Sequence, residues 1–383
     1  MADYSLVSTA EAGVDAERLN DLRGRVNHAI ERGPLPAVQI ALARHGRLVL
    51  FETFGAADHA TRFNIFSCTK PLVAAAIWRL LGEGRLDIER PVADYLPEFA
   101  SNDKAGVTVR QVLCHTGGFP NAPLDAPDWW DSAGRRRRMQ DWYLEWPPDS
   151  QLIYHPLSGH WVLAELIIEL TGEDYRDYIA STIIEPLGLT GLQLGVPTGE
   201  QGDIAWLEHV GEPPEPDEIE AQLGMRIDFP ATQDDSLLIF NDPAVRALGI
   251  PGGGAVGSAA DVALFYQGLI ANPNGIWDRG VLADATGTVH ADHIDPITGC
   301  PAHRGLGVVI AGSGRYQPYR GMGDKVSPKA FGHQGAGGQV AWGDPETGLS
   351  FCLLTNGLDA NPLRSARFCA AANNRAGACV PLS

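Results

Sequence analysis

The spacing of hydrophobic residues changes along the chain, and each spacing predicts a different element. Within Asp15–Glu31, leucine, valine and isoleucine recur every three or four residues, which predicts an amphipathic helix. The apolar runs Ala37–Ala43 and Leu48–Phe54 flank a His-Gly-Arg turn, which predicts a β-hairpin. Near the other end, Gly338–Gly343 and Leu349–Thr355 flank a turn rich in Asp, Pro and Gly. Both ends of the chain therefore predict antiparallel strands.

The middle of the chain has mostly helical spacing, with loops rich in proline and glycine. This pattern runs from Pro71 to about Leu187 and includes a short capped helix at Thr108–His115. Ser158 is the predicted cap of a further helix that ends at Gly172, a residue type that favours helix ends. Asn361 and Pro362 predict the start of a C-terminal helix.

These patterns predict an α+β fold with two lobes. The 383 residues exceed the usual size of a single hydrophobic core. We expect an antiparallel sheet flanked by helices from residues 1–75 and 250–383, and an inserted, mostly helical domain from residues 76–249. Residues 211–222 are acidic and rich in proline, which predicts an exposed loop of unassigned role.

Charge and hydropathy exclude several classes of partner. The net charge of −18 repels phosphate backbones, so we expect no nucleic-acid binding. No run approaches the about 18 apolar residues of a membrane span, and the first residues lack the pattern of a signal peptide. We therefore expect a soluble cytoplasmic protein that does not bind membranes. The oligomeric state is left open.

The chemistry-bearing motif is Ser67-Cys68-Thr69-Lys70, followed by a strongly apolar segment that opens with Pro71. On a helical turn, residues three apart share a face, so the Lys70 amine can meet the Ser67 hydroxyl. A proline fits the first turn of a helix, which places Ser67 near a helix N-terminus that favours developing negative charge. Cys68 points away from Lys70 in this geometry and is expected to be a buried small residue. The pair predicts an activated serine nucleophile.

Two further segments supply candidate partners for Ser67. Tyr154 precedes a helix, and a neighbouring cationic lysine should lower the pKa of its phenol so that it can take up and return a proton. The run Gly332–Gly338 leads into a strand, where glycines let a substrate approach the backbone closely. An amide at this edge can complete an oxyanion hole with the amide of Ser67.

Taken together, these segments resemble the class C β-lactamase and penicillin-binding-protein-like serine hydrolases. The order S-x-x-K, then tyrosine, then H-x-G before the last strands is the pattern of that superfamily. Further matching stretches are Leu81–Asp87, Pro91–Pro97, Val107–Pro120, Leu163–Gly172 and Pro251–Asp261. The resemblance covers roughly residues 15 to 357 and implies a β-lactamase/transpeptidase-like fold.

The resemblance also implies roles for individual residues. Ser67 matches the acylated nucleophile, Lys70 the residue that activates it, and Tyr154 the general base and acid. The amides of Ser67 and Ala336 match the oxyanion hole, with Gly335 beside them. His333 stands where β-lactamases carry the lysine of K-T-G, and we expect it to bind a substrate carboxylate or to steady the tyrosine.

At two positions the sequence departs from the β-lactamase motifs, and there it resembles the esterase branch of the superfamily, the family VIII carboxylesterases. The first is His333, and the second is Pro156, which stands where β-lactamases carry asparagine. We therefore expect hydrolysis of small to medium acyl esters through an acyl-enzyme, without a cofactor or metal. A β-lactamase, a D-stereospecific peptidase or amidase, an acyltransferase and an inactive binding homologue remain alternatives.

Trp129 and Trp146 are candidates for an apolar acyl or alcohol pocket. They flank a run of four arginines, Arg135–Arg138, and helix packing with a solvated arginine face explains the pattern equally well. His290, His293, Cys300 and His303 have irregular spacing for a metal site and are expected to be surface residues.

Overall fold

The computed structural model describes residues 4–215, 217, 218, 220 and 235–382. Its strands are β1 (Ala37–Arg44), β2 (Arg47–Gly55), β3 (Phe63–Asn64), β4 (Gln193–Leu194), β5 (Glu208–Val210), β6 (Ala255–Gly257), β7 (Ile294–Asp295), β8 (Cys300–Pro301), β9 (Val309–Ile310), β10 (Phe331–Gly335), β11 (Gln339–Asp344), β12 (Leu349–Thr355) and β13 (Gly357–Asp359). A six-stranded antiparallel sheet has the order β2-β1-β12-β11-β10-β9, so it joins the two ends of the chain.

Along the chain, most of the α-helices lie between β2 and β9, that is, between the N-terminal and C-terminal strands of the six-stranded sheet. The α-helices span Thr9–Ala12, Ala16–Arg32, Lys70–Gly82, Val109–Leu113, Ser132–Asp141, Ser158–Thr171, Tyr175–Ile179, Glu185–Leu187, Pro243–Leu248, Ala259–Ala271, Arg279–Gly287 and Pro362–Ala378. None of the helices in the described ranges is long and apolar enough to cross a membrane.

The first hairpin shows how the sequence sets the sheet. His45 and Gly46 both have positive φ, 50° and 80°, which is the backbone twist that a two-residue hairpin turn needs. The turn pairs Arg44 with Arg47 and fixes the register of β1 against β2. The predicted hairpin is confirmed.

Both faces of the sheet are covered by helices. Alternate residues of a strand point to opposite faces. Ala41 of β1 belongs to the core shared with the Ala259–Ala271 helix, and its neighbour Ile40 belongs to the core shared with the two terminal helices. This explains why β1 is an almost unbroken apolar run.

The predicted fold class is confirmed, while two local expectations need comment. Ser158 is the first residue of its helix and not its cap, because its hydroxyl donates to the carbonyls of Phe119 and Pro120. The acidic segment 211–222 lies partly outside the described residues. The domain boundaries at residues 75 and 250 stay a prediction.

Candidate active site

Ser67 lies on a strained turn that leads directly into a long buried helix. Residues Phe66–Thr69 form a 3₁₀ turn, and the helix Lys70–Gly82 follows with Pro71 in its first turn. Phe66 has a φ of +46°, a conformation that costs energy for a residue with a side chain. Its ring packs edge-on against Phe240 at 5.3 Å between centroids, which holds this backbone in place. The strained backbone of Phe66 and the packing of its ring against Phe240 together fix the position of the half-buried Ser67.

Lys70 meets Ser67 as the spacing predicted. Its Nζ atom lies 3.1 Å from Ser67 Oγ, 2.7 Å from the carbonyl oxygen of Pro156 and 2.6 Å from that of Gly252. The Lys70 side chain is completely buried. Burial, followed by the positive charge of Arg304, holds the pKa of Lys70 well below its usual value.

The three contacts of Lys70 can be made by a protonated or by a neutral amine, and the lowered pKa favours the neutral form. A neutral amine has two N–H groups and one lone pair. Two carbonyl oxygens, from Pro156 and Gly252, accept hydrogen bonds from it, and the third direction points to Ser67 Oγ. The lone pair is then available for the Ser67 proton, which is the arrangement of a nucleophile beside its base.

Tyr154 lies on the other side of this pair. Lys70 Nζ is 4.9 Å from the centroid of the Tyr154 ring. The Tyr154 hydroxyl is buried and makes no hydrogen bond of ordinary length with a described residue. Burial raises the pKa of Tyr154 to about 12, although Ser67 and Arg304 act in the opposite direction. The expectation that a lysine would lower this pKa is wrong, because desolvation of the phenolate outweighs the neighbouring charge.

Four buried histidines surround Lys70 and Tyr154. The His115 ring lies 4.7 Å from the Tyr154 ring, and the rings of His155 and His160 lie 5.8 and 6.2 Å from His115. Burial is the largest cause that lowers the pKa of each of these three histidines and of His333. The four histidine rings are therefore neutral. Arg304 is cationic, and Lys70 is cationic only when it is protonated.

The orientation of His333 decides what it can bind. Its Nδ1 atom lies 2.6 Å from the carbonyl oxygen of Gln334, so Nδ1 carries the proton and donates it. The Nε2 atom is buried and has no partner among the described residues, so it presents a lone pair. A neutral ring in this orientation offers no N–H from Nε2 to a carboxylate, so the geometry does not favour the first of the two suggested roles for His333, and both roles stay predictions. The ring lies 6.0 Å from that of Tyr154.

The end of β10 lies directly against the Ser67 turn. A Cβ atom on Gly335 would lie 2.7 Å from the carbonyl oxygen of Ile65, and Cys68 Sγ lies 3.3 Å from the carbonyl oxygen of His333. No hydrogen bond shown for the described residues uses the amide of Ser67 or of Ala336. The two amides thus lie on adjoining segments and are available to an oxyanion.

A groove of about 920 Å³ adjoins this edge. Gln334, Gly335, Gly337 and Leu358 contribute to its wall. Ser67, Lys70 and Tyr154 do not line it, so the groove lies next to these three candidate catalytic residues and does not contain them.

Trp129 and Trp146, the two candidate pocket residues, make their contacts with neighbouring residues of the 118–146 segment. The Trp129 indole donates to the carbonyl of Leu124, and Arg135 Nη1 lies 2.7 Å from the carbonyl oxygen of Trp129. Trp146 contributes its carbonyl to a close contact with Gly118. No contact shown in the described ranges joins either indole to Ser67, Lys70 or Tyr154, and the pocket assignment stays a prediction.

The arginine run is not a solvated face throughout. Arg135 is buried and pairs with the buried Glu165 at 2.6 Å, and Arg136 reaches the same carboxylate at 2.9 Å. Each oxygen of the Glu165 carboxylate is therefore paired with a different arginine.

Of the four residues expected at the surface, His290, His293 and His303 are partly exposed, but Cys300 is buried, so that expectation is wrong for Cys300. The free cysteines, Cys68 included, are all buried, and burial raises the pKa of the Cys68 thiol. Among the residues that the structure describes, no group of three or more His, Cys, Asp or Glu side chains could hold a metal ion.

Three residues of the candidate site were not predicted from the sequence. Gly252 contributes only a backbone carbonyl, and its glycine run signalled a turn without indicating Lys70 as partner. His115 lies in a matched stretch but carries no motif of its own. Arg304 lies with its guanidinium carbon 5.7 Å from the centroid of the Tyr154 ring, and nothing in the sequence around it signals a site.

Comparison with protein families gives one match over most of the chain. The family model described as Beta-lactamase matches residues 22–373. The esterase/beta-lactamase LipL of Mycobacterium tuberculosis is 29% identical over 311 residues, which cover 77% of this chain and 69% of LipL. The esterase EstB of Burkholderia gladioli is 28% identical over 364 residues, which cover 85% of this chain and 87% of EstB.

The fold is also found among solved structures. A crystal structure of a family VIII carboxylesterase superimposes with a TM-score of 0.76 and covers 95% of this chain and 99% of its own. Its sequence identity of 24% supports the fold alone.

Proposed function

This chain belongs to the beta-lactamase family, and from that premise and the geometry around Ser67 we propose that it is a serine carboxylesterase. The observation that carries the proposal is the position of Lys70, 3.1 Å from Ser67 Oγ with its other two hydrogen-bond directions taken by carbonyls. The names of LipL and EstB, two relatives matched over most of this chain, support ester hydrolysis as the reaction.

The proposed reaction begins with attack of Ser67 Oγ on the ester carbonyl. Neutral Lys70 accepts the hydroxyl proton as the new C–O bond forms. The carbonyl oxygen becomes an oxyanion, which the amides of Ser67 and Ala336 stabilise. Collapse of this intermediate breaks the bond to the alcohol and leaves an acyl-enzyme on Ser67.

Tyr154 serves as the proton donor in this scheme. Its pKa of about 12 keeps the phenol protonated at neutral pH. Its hydroxyl donates to the departing alkoxide and is reprotonated from Lys70, which lies 4.9 Å from its ring. Water then attacks the acyl-enzyme while Lys70 takes a proton from it, and a second tetrahedral intermediate forms. When that intermediate collapses, the bond to Ser67 Oγ breaks, Lys70 returns its proton to Ser67 Oγ, and the carboxylic acid is released.

The test compares esters and a lactam side by side. Turnover of p-nitrophenyl acetate, p-nitrophenyl butyrate and nitrocefin is measured for the unaltered chain and for Ser67→Ala. We expect ester hydrolysis that falls by several orders of magnitude in Ser67→Ala, since the covalent route needs the nucleophile. Ester turnover unaffected by Ser67→Ala, or nitrocefin turnover far above ester turnover, would contradict the proposal.

The size of the acyl group and the fate of the acyl-enzyme belong to the same proposal. We propose small to medium acyl groups and transfer to water. Addition of a small alcohol during p-nitrophenyl butyrate turnover tests the second point, because an acyltransferase would convert most of the acyl group into the new ester.

A further inference from the structure

Arg304 lies beside Tyr154, and backbone contacts at Arg304 and at Leu306 hold this segment in place. The Arg304 amide lies 2.8 Å from the carbonyl oxygen of Ala291. The next residues dock on the helices of the site: the Trp78 indole nitrogen lies 2.9 Å from the carbonyl oxygen of Leu306. This docking directs the guanidinium over the Tyr154 ring, with Cζ 5.7 Å from the ring centroid.

The guanidinium is buried without a counterion. Arg304 is only 8% exposed, and its Nε atom has no hydrogen-bond partner. In the described part of the chain, no carboxylate forms an ion pair with it. Asp295 is a carboxylate whose charge acts on Arg304 without forming an ion pair with it, and its Oδ1 accepts from the Ile297 amide at 2.8 Å. An unpaired buried cation is costly, so an anion from outside the chain is expected at this position.

The groups around Arg304 do not supply that anion. Tyr154 is protonated at neutral pH, because burial raises its pKa to about 12. His333 presents a lone pair from a neutral ring, and His115 is also neutral because burial lowers its pKa. Lys70 is itself a base. The site thus offers a permanent cation whose complement is missing.

We infer that Arg304 receives a carboxylate of the substrate, and that the preferred substrates are esters carrying a free carboxylate near the scissile bond, such as half-esters of dicarboxylic acids. This inference rests on the proposed esterase function. A guanidinium fork matches a carboxylate with two parallel hydrogen bonds, which gives both affinity and orientation. The net charge of −18 repels an anionic substrate at long range, so a preference for one must come from a local cation.

The experiment compares matched esters by pH-stat. Methyl hexanoate is the neutral reference for monomethyl glutarate and monomethyl adipate, and butyl butyrate is the reference for the glycolate ester of butyric acid. The last pair places the carboxylate on the alcohol side. For at least one pair we expect kcat/KM to be roughly 10- to 100-fold higher for the anionic ester. Ratios near or below one in all pairs would overturn the inference.

Substitutions then assign the preference to Arg304. In Arg304→Gln the ratio should fall to about one while turnover of methyl hexanoate changes far less, and Arg304→Lys should retain part of the preference. Arg90→Gln is the matched control, since Arg90 lies over the Tyr95 ring at 5.2 Å but is exposed and paired with Asp94. An equal loss on neutral and anionic esters in Arg304→Gln would mean that Arg304 only positions Tyr154.

The outcomes separate this inference from the function on which it rests. If the unaltered chain hydrolyses none of the esters, the proposed function fails. If it hydrolyses the neutral esters through Ser67 without preferring the anionic ones, only the carboxylate inference fails. The comparison of ratios in the unaltered chain stands even if Arg304→Gln does not fold.

Discussion

The Nζ atom of Lys70 lies 2.6 Å from the carbonyl oxygen of Gly252, although the two residues are 182 positions apart in the chain. A Cβ atom on Gly252 would lie 2.8 Å from the carbonyl oxygen of Pro156, which is the second acceptor of Lys70. The glycine therefore lets two carbonyls approach the same amine. Together they orient Lys70 so that its remaining direction points to Ser67.

Lys70→Arg tests the neutral base. A guanidinium remains protonated and cannot accept the Ser67 proton, so kcat/KM should fall roughly 10²- to 10⁴-fold. In the unaltered chain the unprotonated form is the active one, so kcat/KM should rise with pH through the lowered pKa of Lys70 and then level off. Ester turnover across pH is the measurement. Lys325→Arg, at an exposed pair with Asp324, is the control, and near-normal activity of Lys70→Arg would contradict the assignment.

Tyr154→Phe tests the proton donor. The ring that packs against His115 and lies beside Lys70 is kept, while the hydroxyl is lost. We expect kcat to fall roughly 10²- to 10⁴-fold with little change in thermal stability. Tyr143→Phe, at a tyrosine that is 67% exposed, should leave turnover unchanged. Equal activity of the two variants would remove Tyr154 from the mechanism.

Gly335→Ala tests the contact between β10 and the Ser67 turn. The new methyl group would lie 2.7 Å from the Ile65 carbonyl oxygen and force the two segments apart. Because one proposed oxyanion donor lies on each segment, kcat should fall about 10- to 100-fold, within the range for losing one donor. Gly24→Ala is the control, since space around Gly24 is open. An unchanged kcat in Gly335→Ala would show that the edge tolerates displacement.

Glu165→Gln tests the buried ion pair between Glu165 and Arg135. Glu165 is fully buried and accepts from Arg135 and Arg136, so the variant leaves a buried guanidinium without its charge partner. Removing one partner of such a pair costs about 3–5 kcal/mol of unfolding free energy. Glu169→Gln removes only the exposed end of the network and should cost less than about 1 kcal/mol. Urea unfolding compares the two, and equal costs would contradict the buried-pair argument.

His155→Gln tests acid sensitivity. His155 has its pKa lowered by burial to about 4, from 6.5 when unfolded. Between these values the unfolded state binds more protons, so folding stability is lost as pH falls below about 6.5, by about 1–2 kcal/mol at pH 5 for this residue. Glutamine can replace both ring contacts, the donation to the Ile153 carbonyl and the acceptance from the Phe119 amide.

The measurement for His155→Gln is urea unfolding at pH 7.5 and pH 5. The variant should lose about 1–2 kcal/mol less than the unaltered chain between these two values. An identical loss in both proteins would show that His155 does not contribute to the acid sensitivity.

Local spacing determined much of the fold before any contact was known. The apolar periodicity of Asp15–Glu31, the turn at His45 and Gly46 and the cap at Asn361 each depend on a few neighbouring residues, and each was predicted. The contact between Ser67 and Lys70 was also predicted locally, because residues three positions apart on a helical turn share a face.

Only the tertiary structure decided the electrostatics of the site. The pKa of Tyr154 moved opposite to expectation because burial outweighed the nearby charges, and burial is not visible in a local pattern. Arg304 and the carbonyl of Gly252 reach the site from segments more than 180 residues away from Lys70. The sequence determined which chemical groups are present, and long-range packing determined their solvation, their partners and therefore their protonation.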